Sequence, residues 1–418
     1  MQDVVITGLG IVCPLGIGRE AVWSAIENRR SGIRTSPQLA QAGQPIPIAG
    51  EVPEFDPKQY VKPRKSLKVM CRETQLAFTA TELAWADAKL DQQTLDPERL
   101  GVVLGANMFR SEIPDLTDAF TTSCEGGPFQ MDKFASAGMR QMYPLWMLKY
   151  LPNMSACHVG IAHDVRGPIN SIIHGDVTAL LAIIEASDVI ARGHADLMIA
   201  GAASTMVSMV DLAWHAGARM SRNVANPAAA CRPFDADRDG TVGSEGGAIF
   251  ILESREHAQR RQAAVQGRVL GYGRRCEPSA ISQRPTGQAV RHAIEAALES
   301  SHIPASEVGH VNAHGLGTVE DDAIEAQAIR ETLGDVPVTG TKSFFGNLGA
   351  ASGAAELMVS LIGLQQGVVP PTLNYDRPDP ACPVNVVTSL QESRSPAVLA
   401  LNHKLTGQAV ALVISSEA

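Results

Sequence analysis

The sequence predicts a large α/β protein built from two halves with the same strand–helix rhythm. Two observations carry this. Short β-branched runs alternate with longer Ala/Leu-rich segments of helical period, the pattern of mixed α/β layers. Of 418 residues, 45% are hydrophobic and 19% charged, ample for a large buried core. That length fits two ordinary domains or one duplicated unit.

In chain order, the first half offers buried strands at Val4–Gly8, Val102–Leu104 and Leu197–Ala200, with helices at Thr74–Ala88 and Thr178–Arg192. The second offers strands at Val269–Tyr272, His310–Asn312, Val338–Gly340, Ala397–Leu401 and Val410–Ser415. Its helices are expected at Thr286–Leu298, Asp321–Leu333 and Gly353–Gln366, most of them stopping near Gly or a polar break. A charged, Gln-rich helical stretch, Arg255–Ala264, is the expected hinge, dividing the chain into 1–258 and 259–418. No sequence repeat between the halves is strong enough to prove a duplication.

Phe109–Met154 reads as a long irregular insertion carrying Met131, Met139, Met142, Met147 and Met154 beside Tyr143, Trp146 and Tyr150. Unbranched thioethers suit a pocket for flexible alkyl chains, with Met142 and Trp146 as candidate lining. Ordinary core or interface residues would look the same.

Composition excludes several functions. A net charge of −9 gives no global reason for nucleic-acid binding. The seven cysteines are scattered without a CxxC pair, so neither zinc nor a disulfide framework is expected, and a reducing cytosol is the expected compartment. Asp3 stands where a signal peptide needs basic residues, and no apolar run reaches membrane-spanning length.

Four motifs carry the chemistry. Gly167-Pro168-Ile169-Asn170-Ser171-Ile172-Ile173-His174-Gly175-Asp176-Val177-Thr178 reads as a strand turning sharply into a helix, with Asp176 at the tip. Arg232-Pro233-Phe234-Asp235-Ala236-Asp237-Arg238-Asp239-Gly240 precedes Gly243-Ser244-Glu245-Gly246. Asn312-Ala313-His314-Gly315-Leu316-Gly317-Thr318 is followed by Asp322 and Glu325. Thr341-Lys342-Ser343-Phe344-Phe345-Gly346-Asn347 is followed by Glu356. Together with the opening Val5–Gly16, these resemble the β-ketoacyl-ACP synthases of KAS I/II type, in that family's order and over nearly the whole chain.

The resemblance implies a thiolase-like, five-layered αβαβα fold of two duplicated halves. It implies a homodimer, or a heterodimer with a cysteine-bearing ketosynthase, acting on carrier-bound acyl thioesters without a cofactor. In that family the elbow tip is a nucleophilic cysteine, with two histidines that stabilise an enolate. The corresponding positions here are Asp176, His314 and Asn347. Asp176 cannot replace the thiol in ordinary condensation. Its carboxylate is either a general base or a polar plug at a helix N-terminus. His314 with Asn347 either stabilises an enolate or is inherited and merely satisfied. Lys342 is either a catalytic charge or an ion-pair partner of Glu356. Cys157 shows no sign of being a substitute nucleophile.

The family's C-terminal loop, of Asn-Ser-Phe-Gly-Phe-Gly-Gly type, is represented by Asn402-His403-Lys404-Leu405-Thr406-Gly407-Gln408, with Thr406 expected at the gate beside Gly407. Most of its flexible glycines are gone, so ordinary gating is not expected. The cations Lys58, Lys62, Arg64, Lys65, Lys68 and Arg72 sit where ketosynthases dock acidic acyl carrier protein. A solvated helix face is the plain alternative. Asp235, Asp237 and Asp239 copy half of a calcium loop, but its twelfth position is Gly246 rather than Glu. Ion pairs with Arg232 and Arg238 are expected instead, and no metal site. Two functions follow from the resemblance: a chain-length-factor-like partner subunit shaping an acyl tunnel, or an independent enzyme using Asp176 as base with His314 and Asn347.

Overall fold

The computed structural model describes residues 2–108, 110–210, 219–278 and 285–417. Eight core elements occur in order and then occur again. The first set is β1 (Val4–Cys13), α1 (Arg72–Asp87), β2 (Leu100–Gly105), α2 (Met154–Ala162), β3 (Ile169–Ile172), α3 (Thr178–Ala191), β4 (Leu197–Thr205) and β5 (Glu245–Ser254). The second is β6 (Gly267–Cys276), α4 (Gln288–Ser301), β7 (Val308–Asn312), α5 (Val319–Leu333), β8 (Pro337–Thr339), α6 (Ser352–Gln365), β9 (Ala397–His403) and β10 (Gln408–Ser416).

Strand order repeats as well. The first half runs β1-β5-β4-β2-β3 and the second β6-β10-β9-β7-β8. Corresponding pairs share their sense: β2 is parallel to β3 and β4, as β7 is to β8 and β9, and the two strands after them are antiparallel. The two sheets touch along β1 and β6, through Val5 opposite Arg268 and Ile6 opposite Gly267. The duplication that the sequence could not prove is therefore plain in the topology.

Three cores make five layers. α1 and α2 pack on the outer face of the first sheet through Leu76, Ala80, Val159 and Ile199. α4 and α5 do the same for the second through Ala293, Ile294, Ile329 and Val413. Between the sheets lie α3 and α6, joined through residues such as Leu180, Ile184, Leu357 and Leu361. Every residue from Ser352 to Leu364 is buried, because α6 has protein on all sides. A helix apolar around its whole circumference belongs in such a place.

Three expectations need correction. β5 was absent from the expected strands, because Gly246 and Gly247 interrupt its start and burial on both faces removes any alternation. The insertion after residue 109 is helical in pieces, Pro114–Ser123, Met131–Ser136 and Trp146–Tyr150, rather than irregular; Phe109 itself lies outside the described residues. Its Met131, Met139 and Met147 are exposed, so they do not line an interior pocket. The helical reading of Arg255–Ala264 needs no such change: Arg255–Arg260 is a short helix, capped by the Ser254 hydroxyl accepting from the His257 amide. Among the described residues no helix is long and apolar enough to cross a membrane.

Candidate active site

The second half supplies a buried charge network. β7 ends at Asn312, and the loop that follows is held by acids on α5. Glu325 accepts from the amides of His314 (2.6 Å) and Gly315 (2.8 Å). Asp322 accepts from Gly317 (3.0 Å) and, across the chain, from the amide of Phe234 (2.8 Å), with Arg238 at 3.7 Å. Burial pushes the Asp322 carboxyl up to about 7, against those bonds.

Lys342, directly after β8, is fully buried. Its ammonium pairs with Glu356 of α6, donates to the His314 carbonyl (2.7 Å) and lies 3.1 Å from His314 Nδ1. At the end of β9, Asn402 Nδ2 donates to Glu356 Oε2 (2.9 Å) and lies 3.2 Å from that same ring nitrogen. The bond to a carboxylate fixes which way the amide faces. Both neighbours of Nδ1 are then donors, so Nδ1 accepts and the ring proton sits on Nε2. Burial, reinforced by Lys342, His403 and Arg219, holds the imidazole well below its usual pKa. His314 is thus a neutral side chain with one N–H to offer.

His403 stands edge-on to His314, ring centroids 4.9 Å apart, with Glu325 at an ion-pair distance of 3.8 Å. Burial lowers its pKa, but Glu325, Asp321 and Asp322 outweigh that and raise it. Of two touching histidines, one is kept neutral and the other is drawn towards its cation.

Asn347 follows the short helix Lys342–Phe345. Its Oδ1 accepts from the Gly349 amide and the Ser352 hydroxyl, both at 2.9 Å. The Nδ2 hydrogens have no bond among the described residues. The elbow reaches this corner from the first half. After β3 the chain turns through Gly175, whose φ of 61° favours glycine, and Asp176 lies in the single turn Gly175–Val177 before α3. That turn packs against Gly349–Ala351, α6 and β9. Asp176 is half-buried, with neither a hydrogen bond nor an ion pair among the described residues.

The structure therefore brings together His314, Lys342, Glu356, Asn402 and His403, and sets the elbow turn against the turn after Asn347. Other expected site residues fall elsewhere. Thr406 is exposed at the tip of the β9–β10 hairpin, bonded to Gln408, and does not face the elbow. Gly407 (φ 88°) is buried; a Cβ there would meet the Glu277 carbonyl at 2.2 Å, so it fixes the hairpin rather than swinging it. Lys404 lies against the elbow turn instead: a Cβ on Gly175 would lie 3.0 Å from its Nζ and 3.1 Å from its Cε. Of the two residues that stand at the phenylalanine positions of the family's loop, Lys404 and Thr406, the hairpin leaves Thr406 exposed and Lys404 half-buried.

Met142 and Trp146 are half-buried and line neither of the two clefts found on their side of the molecule. Arg72 is no free docking cation. It holds Glu245 through Nε (2.9 Å) and Nη2 (2.5 Å), and its guanidinium lies 4.4 Å from the centre of the Phe55 ring. Lys58, Lys62, Arg64, Lys65 and Lys68 remain exposed, the last three on the short 3-10 helix Arg64–Val69. Asp235 is buried and bonded to Arg232 and to the amides of Asp237, Asp376 and Arg377. Arg238 pairs with Asp322 and Asp379 instead of the three calcium-like aspartates.

Comparison with known proteins agrees with this architecture. Residues 1–258 match the beta-ketoacyl synthase N-terminal domain and residues 266–376 the C-terminal domain. The ketoacyl synthase alpha subunit of the tetracenomycin polyketide synthase of Streptomyces glaucescens is 32% identical over 422 residues, 99% of this chain and 97% of that protein. A beta-ketoacyl synthase from Burkholderia phymatum superposes with a TM-score of 0.90 at 29% identity, over the whole of both chains. The ketosynthase assembly AntDE, solved with the acyl carrier protein AntF, superposes at 0.82 with 27% identity, again over both chains entirely. The chain belongs to the β-ketoacyl synthase family.

Proposed function

We propose that this chain is a ketosynthase-like partner subunit, similar to a chain-length factor, that pairs with a cysteine-bearing ketosynthase and shapes its acyl tunnel. The elbow tip carries this reading. Where the family places its nucleophilic thiol, this chain has the carboxylate of Asp176, and a mixed anhydride formed there would be fragile to water. Cys231 is no substitute for that thiol. It feels the charges of Lys342, Asp322 and Glu356, but it is buried and its own thiol is pushed up to about 12.

Two surfaces support partnership. Among the described residues β3 is the edge of its sheet and carries exposed Ile169, with Ile161, Ile173 and Met108 also exposed, and such an apolar edge invites a second chain. The exposed cations from Lys58 to Lys68 suit an acidic carrier, as AntF is carried by AntDE.

A second reading rests on the His314 tautomer. A neutral imidazole with Nε2–H, together with the Asn347 amide, would supply the donors to stabilise an enolate oxygen, with Asp176 as base. One experiment separates the two. Purified chain and its His314→Ala variant are incubated with malonyl-carrier protein, and intact mass is followed. No loss of carbon dioxide from the chain alone, with condensation only after a cysteine-bearing ketosynthase is added, is expected. Loss that depends on His314 would replace the subunit reading with the enzyme.

A further inference from the structure

The mouth of the elbow holds two opposite charges that bond to no described residue. Lys404 lies along the turn that presents Asp176, its Cδ, Cε and Nζ 3.4, 3.1 and 3.0 Å from where a Cβ on Gly175 would be. It is half-buried, and its ammonium makes no hydrogen bond or ion pair with any described residue, Asp176 included. Its direction is fixed from behind. The Lys404 amide donates to the Gln408 carbonyl and the Gly407 amide to the Lys404 carbonyl, both at 2.9 Å, while Glu277 donates to Gly407 at 3.0 Å. Two residues back, Asn402 touches His314, so the ammonium stands at the edge of the buried network.

A lysine stem has four carbons and prefers to run outward into water. Laying it across a glycine turn, partly out of water and with no carboxylate bonded to it among the described residues, has a desolvation cost that a bound anion would offset. The remaining cation of the network, Lys342, has no such vacancy, being held by Glu356 and the His314 carbonyl.

We propose that Lys404 is a specificity-determining residue that binds the free carboxylate of a carboxyacyl thioester, a malonyl-type unit, as it enters past the elbow, in preference to a plain acyl thioester. The inference rests on the reading that this mouth receives acyl thioesters, and it holds whether or not the chain acts through a partner. Asp176 has the opposite effect: its carboxylate competes with the ligand for the ammonium and repels it.

The test compares malonyl- and acetyl-N-acetylcysteamine thioesters, which lack the phosphates of the natural carrier arm, by calorimetric titration of the full chain. The protein should favour the malonyl compound by about tenfold, the worth of one partly desolvated charge-assisted hydrogen bond. Lys404→Met should reduce that preference to less than about twofold, Lys404→Arg should keep it, and Asp176→Asn should increase it. High salt should shrink it in the native protein. An equal preference in the Lys404→Met variant, or none in the native protein, overturns the assignment. Neither result bears on pairing with a ketosynthase, which gel filtration reads separately.

Discussion

The two corners that meet at the candidate site are built on opposite rules. In the second half, Lys342, Glu356, Glu325, Asp322 and His314 are buried, and each has a partner. At the elbow, where Asp176 of the first half comes near Lys404 of the second, both side chains are half-exposed and have no partner among the described residues. A buried ion is tolerated only when its bonds offset desolvation, so the first group is committed to holding the loops in place. Charges left open to solvent cost the fold little and remain available to a ligand. Removing a charge should therefore damage stability in one corner and binding in the other.

The largest expected effect comes from splitting the Lys342–Glu356 pair. Lys342→Met leaves Glu356 buried without its cation and removes the donor to the His314 carbonyl. A loss of about 3–5 kcal/mol is expected in urea unfolding, the usual result of leaving one buried charge uncompensated. The double variant Lys342→Met, Glu356→Leu should recover a substantial part of it. A single variant as stable as the native chain would show that the pair carries no structural load, and the contrast between the corners would fail.

A second buried charge, far from the site, asks whether the rule is general. Glu253 on β5 is fully buried and accepts from Thr7, His257 and Arg261. Burial raises its pKa, but those bonds outweigh it and bring the carboxyl down to about 2. A depressed carboxylate stabilises the fold fully above its unfolded value, near 4.5, and that contribution disappears as pH falls towards 2. The shift corresponds to roughly 3 kcal/mol. Urea midpoints between pH 5 and pH 2.5 should fall steeply in the native protein and less steeply in Glu253→Gln. Parallel profiles would remove Glu253 from the account.

How much of this was legible in sequence differs between the corners in the same way. Helical period and β-branched runs located α1, α3, α4, α5 and α6 within a few residues, because each buries a long apolar face. β5 escaped, since a strand buried on both sides and begun by glycines has no alternating signal. The motif residues His314, Lys342 and Glu356 do come together, yet the tautomer of His314 depends on Asn402, some ninety residues away along the chain, and no spacing announces that contact. Arg72 looked like its basic neighbours in sequence. Only the fold brings Glu245 and Phe55 to it. Lys404 was hidden by hairpin geometry: which of two nearby residues faces the elbow is decided by the turn at Gly407.

The smallest expected effect is the most diagnostic for the elbow. Asp176→Asn exchanges one oxygen for an amide nitrogen at a half-buried position and removes a charge that bonds to nothing described. The only stabilisation at stake is its interaction with the start of α3, worth at most about 0.3–1 kcal/mol at a helix N-terminus. Surface substitutions without specific partners usually fall within about 0.5 kcal/mol. The urea midpoint should therefore barely move, while the malonyl-over-acetyl preference rises. A destabilisation above about 1.5 kcal/mol would instead make Asp176 a structural plug for the helix amides. The elbow would then follow the same rule as the buried network, with its carboxylate serving the fold rather than the ligand.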